Sequence, residues 1–144
     1  MFKYIALAAG ISLCSLNAQA QSFDNTVMSS DLTLEEASAI VTEFETFMTE
    51  ITEALESVND AASAEAAANT LMSIKFRAGD LQNKMNQVTA ADPQIQQELL
   101  PRIFGALVQS AARVEKATAN IESNNYYGCE LLRELMLELD STSN

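Results

Sequence analysis

Apolar residues that recur at alternating steps of three and four constrain the fold of this chain more than any other feature. Such spacing puts every member on one face of an α-helix, whereas a strand would need steps of two. Three flanking apolar residues widen the face to about three positions in seven, which is typical of a helix in a bundle. The repeat comprises Leu34, Ala37, Val41, Phe44, Met48, Ile51, Leu55 and Val58, flanked by Ile40, Phe47 and Ala54.

The same rhythm predicts two more long helices and a shorter last one, and no strand pattern competes with them. The second helix carries Ala64, Ala67, Leu71, Ile74, Ala78, Leu81, Met85 and Val88. The third carries Leu100, Ile103, Leu107, Ala111, Val114, Ala117 and Ile121. The last segment, Tyr126 to Leu139, is amphipathic through Leu131, Leu132, Leu135, Met136 and Leu139.

Start and stop signals separate these helices. Thr33 and Glu36 have the spacing of a capping box before the first helix. Asp92 followed by Pro93 is a strong start signal for the third. Pro101 lies within the third pattern and predicts either a kink or a fresh helix start.

Short breaks between successive helices force them to run in alternating directions. The sequence therefore predicts an all-α, up-and-down antiparallel bundle of three long helices and one shorter C-terminal helix. Its predicted core comprises Val41, Phe44, Met48, Ile51, Leu71, Ile74, Leu81, Leu107 and Val114.

The first twenty residues have the layout of a secretory signal peptide: Lys3, an apolar run to Leu16, then Ala18-Gln19-Ala20. We expect cleavage after Ala20 and a mature protein in the periplasm or the medium. Lipidation at Cys14 is the disfavoured alternative. The predicted organisation is then a signal peptide (1–20), a flexible lead-in (21–32), one helical domain (33–140) and a disordered tail (141–144).

Charge and missing residue types narrow the function. Seven basic and twenty acidic residues follow residue 20, so the mature chain carries a net charge of −13. Such a surface repels nucleic acid and anionic lipid. The chain has no histidine, which is the usual general base and the commonest metal ligand. We therefore expect no enzymatic activity and no cofactor or metal.

Charged clusters suggest two weak candidate sites. Glu36, Glu43 and Glu50 are spaced seven apart, with Glu35 and Glu56 beside them. A solvated outer face explains this row better than a calcium site, which needs ligands converging from several elements. Three basic residues, Lys75, Arg77 and Lys84, lie on the second helix. Pairing with Glu43 and Glu45 of the first helix is favoured over a small anion site.

Tyr126, Tyr127, Gly128 and Cys129 form the most unusual local string. It predicts either a packing corner with a buried thiol or an aromatic patch that contacts a partner, with Tyr126, Tyr127 and Cys129 as the contact residues. Cys129 is the only cysteine after residue 20, so we expect a monomer rather than a dimer linked through this thiol. Phe76 and Met72 lie off the main apolar face, and they either meet the fourth helix or remain exposed.

The stretch VNDAASAEAAANTLMSIKFRAGDLQNKM, from Val58 to Met85, resembles part of the soluble b-type cytochromes of the bacterial periplasm. That family also consists of exported four-helix bundles, and small exported helical proteins of unknown function share the layout. The family binds haem through a methionine near the first helix and a histidine in the fourth. Met28 lies near the matching position, but no histidine is present, so the resemblance implies the fold without haem.

These observations together predict an exported, acidic helical bundle that acts by binding or scaffolding another protein in the periplasm. The first alternative is a chaperone-like or stress-related periplasmic helical protein. The second, a cofactor or metal carrier, is disfavoured by the absence of histidine.

Overall fold

The computed structural model describes residues 32–141, which form four α-helices and no β-strand. The helices are α1 (Leu34–Glu56), α2 (Ala61–Thr89), α3 (Pro93–Ser123) and α4 (Glu130–Ser141), with a short turn at Asn125–Gly128. This confirms the predicted all-α bundle of three long helices and a shorter C-terminal one. The predicted signal peptide and nearly all of the lead-in and tail lie outside the described residues. Leu32, the last residue of the predicted lead-in, packs against the core.

Side-chain caps begin the first two helices. The Thr33 backbone N–H donates to Glu36 Oε2 at 2.9 Å, and the Glu36 N–H donates to Thr33 Oγ1 at 3.3 Å. The predicted capping box is therefore present. At α2 the Ser63 N–H donates to Asp60 Oδ1 at 2.7 Å. Each cap satisfies backbone donors that the first helical turn leaves without partners.

The third helix begins with Pro93 after an Asp92 cap, as predicted, and the Gln94 N–H donates to Asp92 Oδ1 at 2.8 Å. Pro101 lies inside this helix, which continues without interruption to Ser123. Because proline has no N–H, the carbonyl of Gln97 lacks its ordinary helical partner. Because the helix is continuous on both sides of Pro101, the structure excludes a fresh helix start there.

The core consists of buried residues from all four helices, and all nine residues predicted for it are buried. Phe44, Val41 and Ile121 are fully buried. A buried hydroxyl among them, Thr52 Oγ1, donates to the Met48 carbonyl at 2.7 Å, so its polar atom is satisfied within its own helix.

The helices are not equal neighbours. α1 packs along both α2 and α3, α2 and α3 touch each other little, and α4 packs mainly on α2. Ion pairs give the directions. Arg102 of α3 pairs with Glu45 of α1, and Arg113 pairs with Glu56. From the first pair to the second, the residue number rises by eleven in both helices. α1 and α3 are therefore parallel, as an up-and-down connection through α2 requires.

The last helix begins at Glu130, four residues later than its amphipathic pattern predicts. The residues before it have positive φ: 51° at Asn125, 55° at Tyr126, 52° at Tyr127 and 77° at Gly128. Successive L-residues in this left-handed region cannot extend a right-handed helix. The segment is thus a left-handed turn, and Cys129 precedes α4 instead of lying within it.

Candidate functional site

Formal charge is distributed unevenly over the four helices. α1 has seven glutamates and no basic residue, whereas α2 has three basic and two acidic residues. α3 has three of each, and α4 has four acidic residues and one basic residue. The most acidic helix therefore packs between the two helices that carry most of the cations. We call the ion pairs that join α1 to α2 and α3 the ion-pair clamp.

On the α2 side of the clamp, Lys84 Nζ lies 2.9 Å from Glu43 Oε2, and Arg77 pairs with Glu50. The glutamate hydrogen bond raises the pKa of the Lys84 ammonium. Lys75 instead binds Glu138 of α4, with Nζ and Oε1 2.6 Å apart. The predicted helix pairing is present, but the predicted partners of Lys75 and Arg77, Glu43 and Glu45, are wrong.

Lys75 lies two residues, or about 200°, from Arg77 around the helix, and therefore meets α4. For Arg77 and Lys84, which share a face, the physical reason is the direction in which helical side chains lean. Every Cα–Cβ bond tilts toward the N-terminus of its own helix. In an antiparallel pair the two N-termini point in opposite directions, so the charged ends of the two helices are displaced in opposite directions along the bundle. The two displacements add, and side chains that meet come from backbone positions at different levels. Matching backbone levels therefore selects partners about two turns from the true ones. Glu43, whose predicted partner was Lys75, pairs instead with Lys84, nine residues further along α2.

On the α3 side, the Arg102 guanidinium holds Glu45 through two parallel bonds, Nε to Oε1 at 3.1 Å and Nη2 to Oε2 at 2.6 Å. It also donates to Ser38 Oγ at 2.8 Å and to Thr42 Oγ1 at 3.0 Å. The hydrogen bond to Glu45 raises the pKa of Arg102. A guanidinium already committed to a carboxylate and two hydroxyls is a structural tie, not an anion-binding site.

A similar pair stands three turns further along. Arg113 Nε donates to Glu56 Oε1 at 2.9 Å. This hydrogen bond lowers the pKa of the Glu56 carboxyl, and the positive charges of Arg113 and Lys116 act in the same direction.

The predicted carboxylate row does not converge on a site. Glu36 belongs to the α1 cap, while Glu43 and Glu50 bind cations of α2. Glu56 faces α3, and Glu35 lines a shallow groove beside Leu34 and Ser38. No group of three or more carboxylates or thiols within residues 32–141 is placed to hold a metal ion. The row serves a helix cap and interhelical ion pairs.

The tyrosine corner covers one end of the bundle. Tyr126, Tyr127 and Cys129 are each partly buried and pack against the core. Tyr127 Oη accepts a hydrogen bond from Asn120 Nδ2 at 3.3 Å. Cys129 is a free thiol that is only partly buried, because the helix begins after it. The two tyrosines thus pack against the core, as one of the two interpretations expects, but the buried thiol of that interpretation is wrong. The partner contact through Tyr126, Tyr127 and Cys129 stays a prediction.

The outward side of α3 carries an apolar strip that the sequence reasoning missed. Phe104 is 48% exposed and Val108 is 59% exposed. Their spacing of four places them together on one side of the helix. We call this set the α3 outer stripe: Pro101, Phe104, Gly105, Val108 and Ala112, all of them exposed. A second apolar rhythm along the same helix was the signal that would have revealed it.

Phe76 is the most exposed aromatic side chain among the described residues, at 81%. It stands alone on α2 between Lys75 and Arg77, which are both engaged in ion pairs. Met72 packs partly against the core. Of the two outcomes considered for Phe76, exposure is the one observed. An isolated exposed side chain is common on protein surfaces and marks no site.

Among the helices of residues 32–141, none combines the length and the apolar character that crossing a membrane would require. Comparison of the chain with protein-family models, with curated proteins and with solved structures finds no match. The resemblance to periplasmic b-type cytochromes stays a prediction. The α3 outer stripe is a surface feature that the ion pairs and the helix packing do not explain.

Proposed function

We propose that this protein is an exported, non-catalytic binding or scaffolding protein that engages another polypeptide through the α3 outer stripe. The exposure of Phe104 and Val108 on adjacent turns of α3 is the observation that supports it. Two large apolar side chains side by side form a patch, and patches on soluble proteins commonly mark interaction sites.

The fold gives no internal reason for this stripe. The bundle already buries a continuous core that includes Leu99, Ile103 and Leu107 of α3. Folding of one chain leaves about half of the Phe104 and Val108 side chains in water. Pro101 and Gly105, which both disfavour a helix interior, lie in the same stripe. These four residues together are better explained by a contact than by folding.

The ion-pair clamp supplies the rigidity that a binding surface needs. The pairs Arg102–Glu45 and Arg113–Glu56 tie α3 to α1 at two levels three turns apart. Both arginines point toward α1, so the stripe on the other side is left free of ionic contacts with the bundle. A fixed helix face reduces the ordering cost on binding.

Site-specific photocrosslinking in the native host tests this proposal. A photoreactive residue at Val108 should give a discrete adduct, because the stripe is occupied in the cell. The same residue at Asn69, an exposed position on α2, is the matched control and should give none. Phe104→Ser combined with the Val108 probe should weaken the adduct. Absence of an adduct at Val108, or equal adducts at both positions, would contradict the proposal.

Export is the second part of the proposal, supported by the layout of residues 1–20. Intact-mass measurement of protein recovered from the periplasm or medium should give a chain that begins at Gln21. Retention in the cytoplasm would contradict export, and a lipid-modified N-terminus at Cys14 would contradict cleavage after Ala20.

A further inference from the structure

We infer that the polypeptide bound at the α3 outer stripe presents a basic amphipathic segment, with apolar residues at its centre and cationic residues toward both ends. This inference rests on the proposed function and names the chemical class of the partner. Two observations carry it: exposed carboxylates lie at both ends of the stripe, and the arginines of the same helix turn away from them to α1.

Carboxylates continue the stripe toward the C-terminus of α3. Glu115 and Glu122 follow Pro101 and Val108 at steps of seven, which is close to two helical turns. All four residues are exposed and lie along one side of the helix. At ~1.5 Å per residue, Glu115 lies about 10 Å beyond Val108 along the helix axis. A partner that covers Phe104 and Val108 therefore reaches a carboxylate two turns further along α3.

Carboxylates also lie at the other end of the stripe. Glu98 is exposed, precedes Pro101 by three residues, and lines the groove between α1 and α3 together with Glu35. Leu34 is 40% exposed and lines the same groove. Lysine and arginine side chains can lay their methylene groups on an apolar surface while their charged ends stay near polar groups. The groove offers both kinds of contact to such a side chain.

The cations of α3 do not neutralise these carboxylates. Arg102 and Arg113 turn to Glu45 and Glu56 of α1. Lys116 also acts toward α1, because its charge adds to the lowered pKa of Glu56. The outward face of α3 is therefore acidic, although the helix as a whole carries equal numbers of acidic and basic residues.

The glutamates at the two ends of the stripe form no ion pair with any described residue. They are Glu35, Glu98, Glu115 and Glu122. Their charges are thus available to a partner, in contrast to those of the ion-pair clamp.

Charge complementarity selects the partner. A basic segment places cations opposite these carboxylates, whereas an acidic partner, including a second copy of this chain, places carboxylate against carboxylate. The formal net charge of the chain, −12, acts in the same direction because it attracts cationic polypeptides from a distance. The apolar centre of the stripe requires that the partner also present apolar side chains between its cations.

Two synthetic peptides test this chemistry on the purified mature protein. The first is an amphipathic helix with leucines at its centre and lysines toward both ends, and the second has glutamates in place of the lysines. Fluorescence anisotropy should show binding of the lysine peptide alone. Added sodium chloride should weaken this binding, because it screens contacts between exposed charges. Binding of both peptides with equal affinity, or of neither, would overturn the inference.

Charge reversal within the protein locates the contact. Glu115→Lys should weaken binding of the lysine peptide by about tenfold or more, because it replaces an attraction by a repulsion. Glu65→Lys on α2 is the matched control, since Glu65 is also exposed and forms no ion pair with the described residues. It makes the same change in net charge far from the stripe and should alter the dissociation constant by less than about twofold. Equal effects of the two substitutions would overturn the inference.

The photocrosslinking experiment separates this inference from the proposed function. In the native host, Glu115→Lys should weaken the adduct at Val108, whereas Glu65→Lys should leave it unchanged. An adduct that persists equally in both variants, or one with twice the mass of the chain, overturns the inference and leaves the proposed binding function standing. Absence of an adduct at Val108 in the parent protein overturns both.

Discussion

Arg102 of α3 and Glu45 of α1 form a two-pronged ion pair, 57 residues apart in sequence, that fixes two parallel helices in register. Ser38 and Thr42 accept further hydrogen bonds from the same guanidinium. The arrangement depends on the planar shape of arginine, since lysine cannot donate in two parallel directions. The pair therefore identifies which helix face lies beside α1.

A double-mutant cycle on Arg102 and Glu45 should show coupling below about 1 kcal/mol, because both side chains are about one-third exposed and water screens their attraction. Arg102→Lys should recover less than half of that coupling, since it keeps the charge but loses the two-pronged geometry. Urea unfolding of the two single variants, the double variant and the parent measures it. Coupling of several kcal/mol would mean that the pair is far better shielded from water than the structure shows.

Phe44→Ala should lower the free energy of unfolding by roughly 3–5 kcal/mol, because it leaves a cavity at a fully buried position. Glu43→Ala, one residue earlier, should leave the denaturation midpoint nearly unchanged, since it removes only an exposed contact with Lys84. Chemical denaturation of both variants tests the pair. Equal midpoints would contradict the assignment of the buried face of α1.

Stability should fall in acid partly through the two helix caps. Hydrogen bonds from Thr33 lower the pKa of Glu36, and hydrogen bonds from Ser63 lower the pKa of Asp60. A pKa lowered by folding contributes stability above the unfolded pKa of about 4, and this stability is lost as the pH falls through the folded value. The urea concentration at the unfolding midpoint should therefore decline as the pH is lowered from about 6 to about 3, a range that brackets the unfolded pKa.

The control for this titration is the double variant Glu36→Gln with Asp60→Asn, which keeps hydrogen-bonding groups at both caps but removes the two charges. Its midpoint should decline less with acid than that of the parent. Parallel declines would show that the caps contribute nothing to the pH dependence.

Two glycines with equally open surroundings should respond in opposite directions to alanine. A Cβ meets nothing within 4 Å at Gly79 or at Gly128, but Gly128 has a φ of +77°. Gly79→Ala should stabilise the protein by about 0.5–1 kcal/mol through helix propensity. Gly128→Ala should destabilise it by about 1–2 kcal/mol because of its left-handed backbone. Thermal unfolding distinguishes them, and a change of the same sign at both sites would contradict the left-handed turn.

The thiol of Cys129 should react in the folded protein, more slowly than in the unfolded chain. The helix that was expected to bury it begins one residue later, so the side chain is only partly covered. Timed labelling with a thiol reagent, with and without denaturant, gives the two rates. Protection that disappears only on global unfolding would contradict this partial exposure.

The helices of this protein were predictable from local sequence, and their arrangement was not. The steps of three and four, the cap at Thr33 and Glu36, and the Asp92–Pro93 start depend on residues within a turn or two of one another. Backbone geometry therefore determines them without reference to the rest of the fold. The nine predicted core residues are buried for the same reason, since an amphipathic helix has one face to cover.

Only the tertiary structure decided which side chains meet. The lean of side chains toward each helix N-terminus moved the partner of Glu43 to Lys84. The position of Lys75 on another side of α2 gave it Glu138 of α4 as its partner. The positive φ values at Tyr126 and Tyr127 delayed the last helix, although the apolar pattern continues through them. The outer stripe also could not be predicted from the sequence, because the exposure of its side chains depends on which sides of α3 the other helices cover. Phe104 is apolar in the sequence, but α1 packs on another side of α3 and leaves about half of this side chain in water.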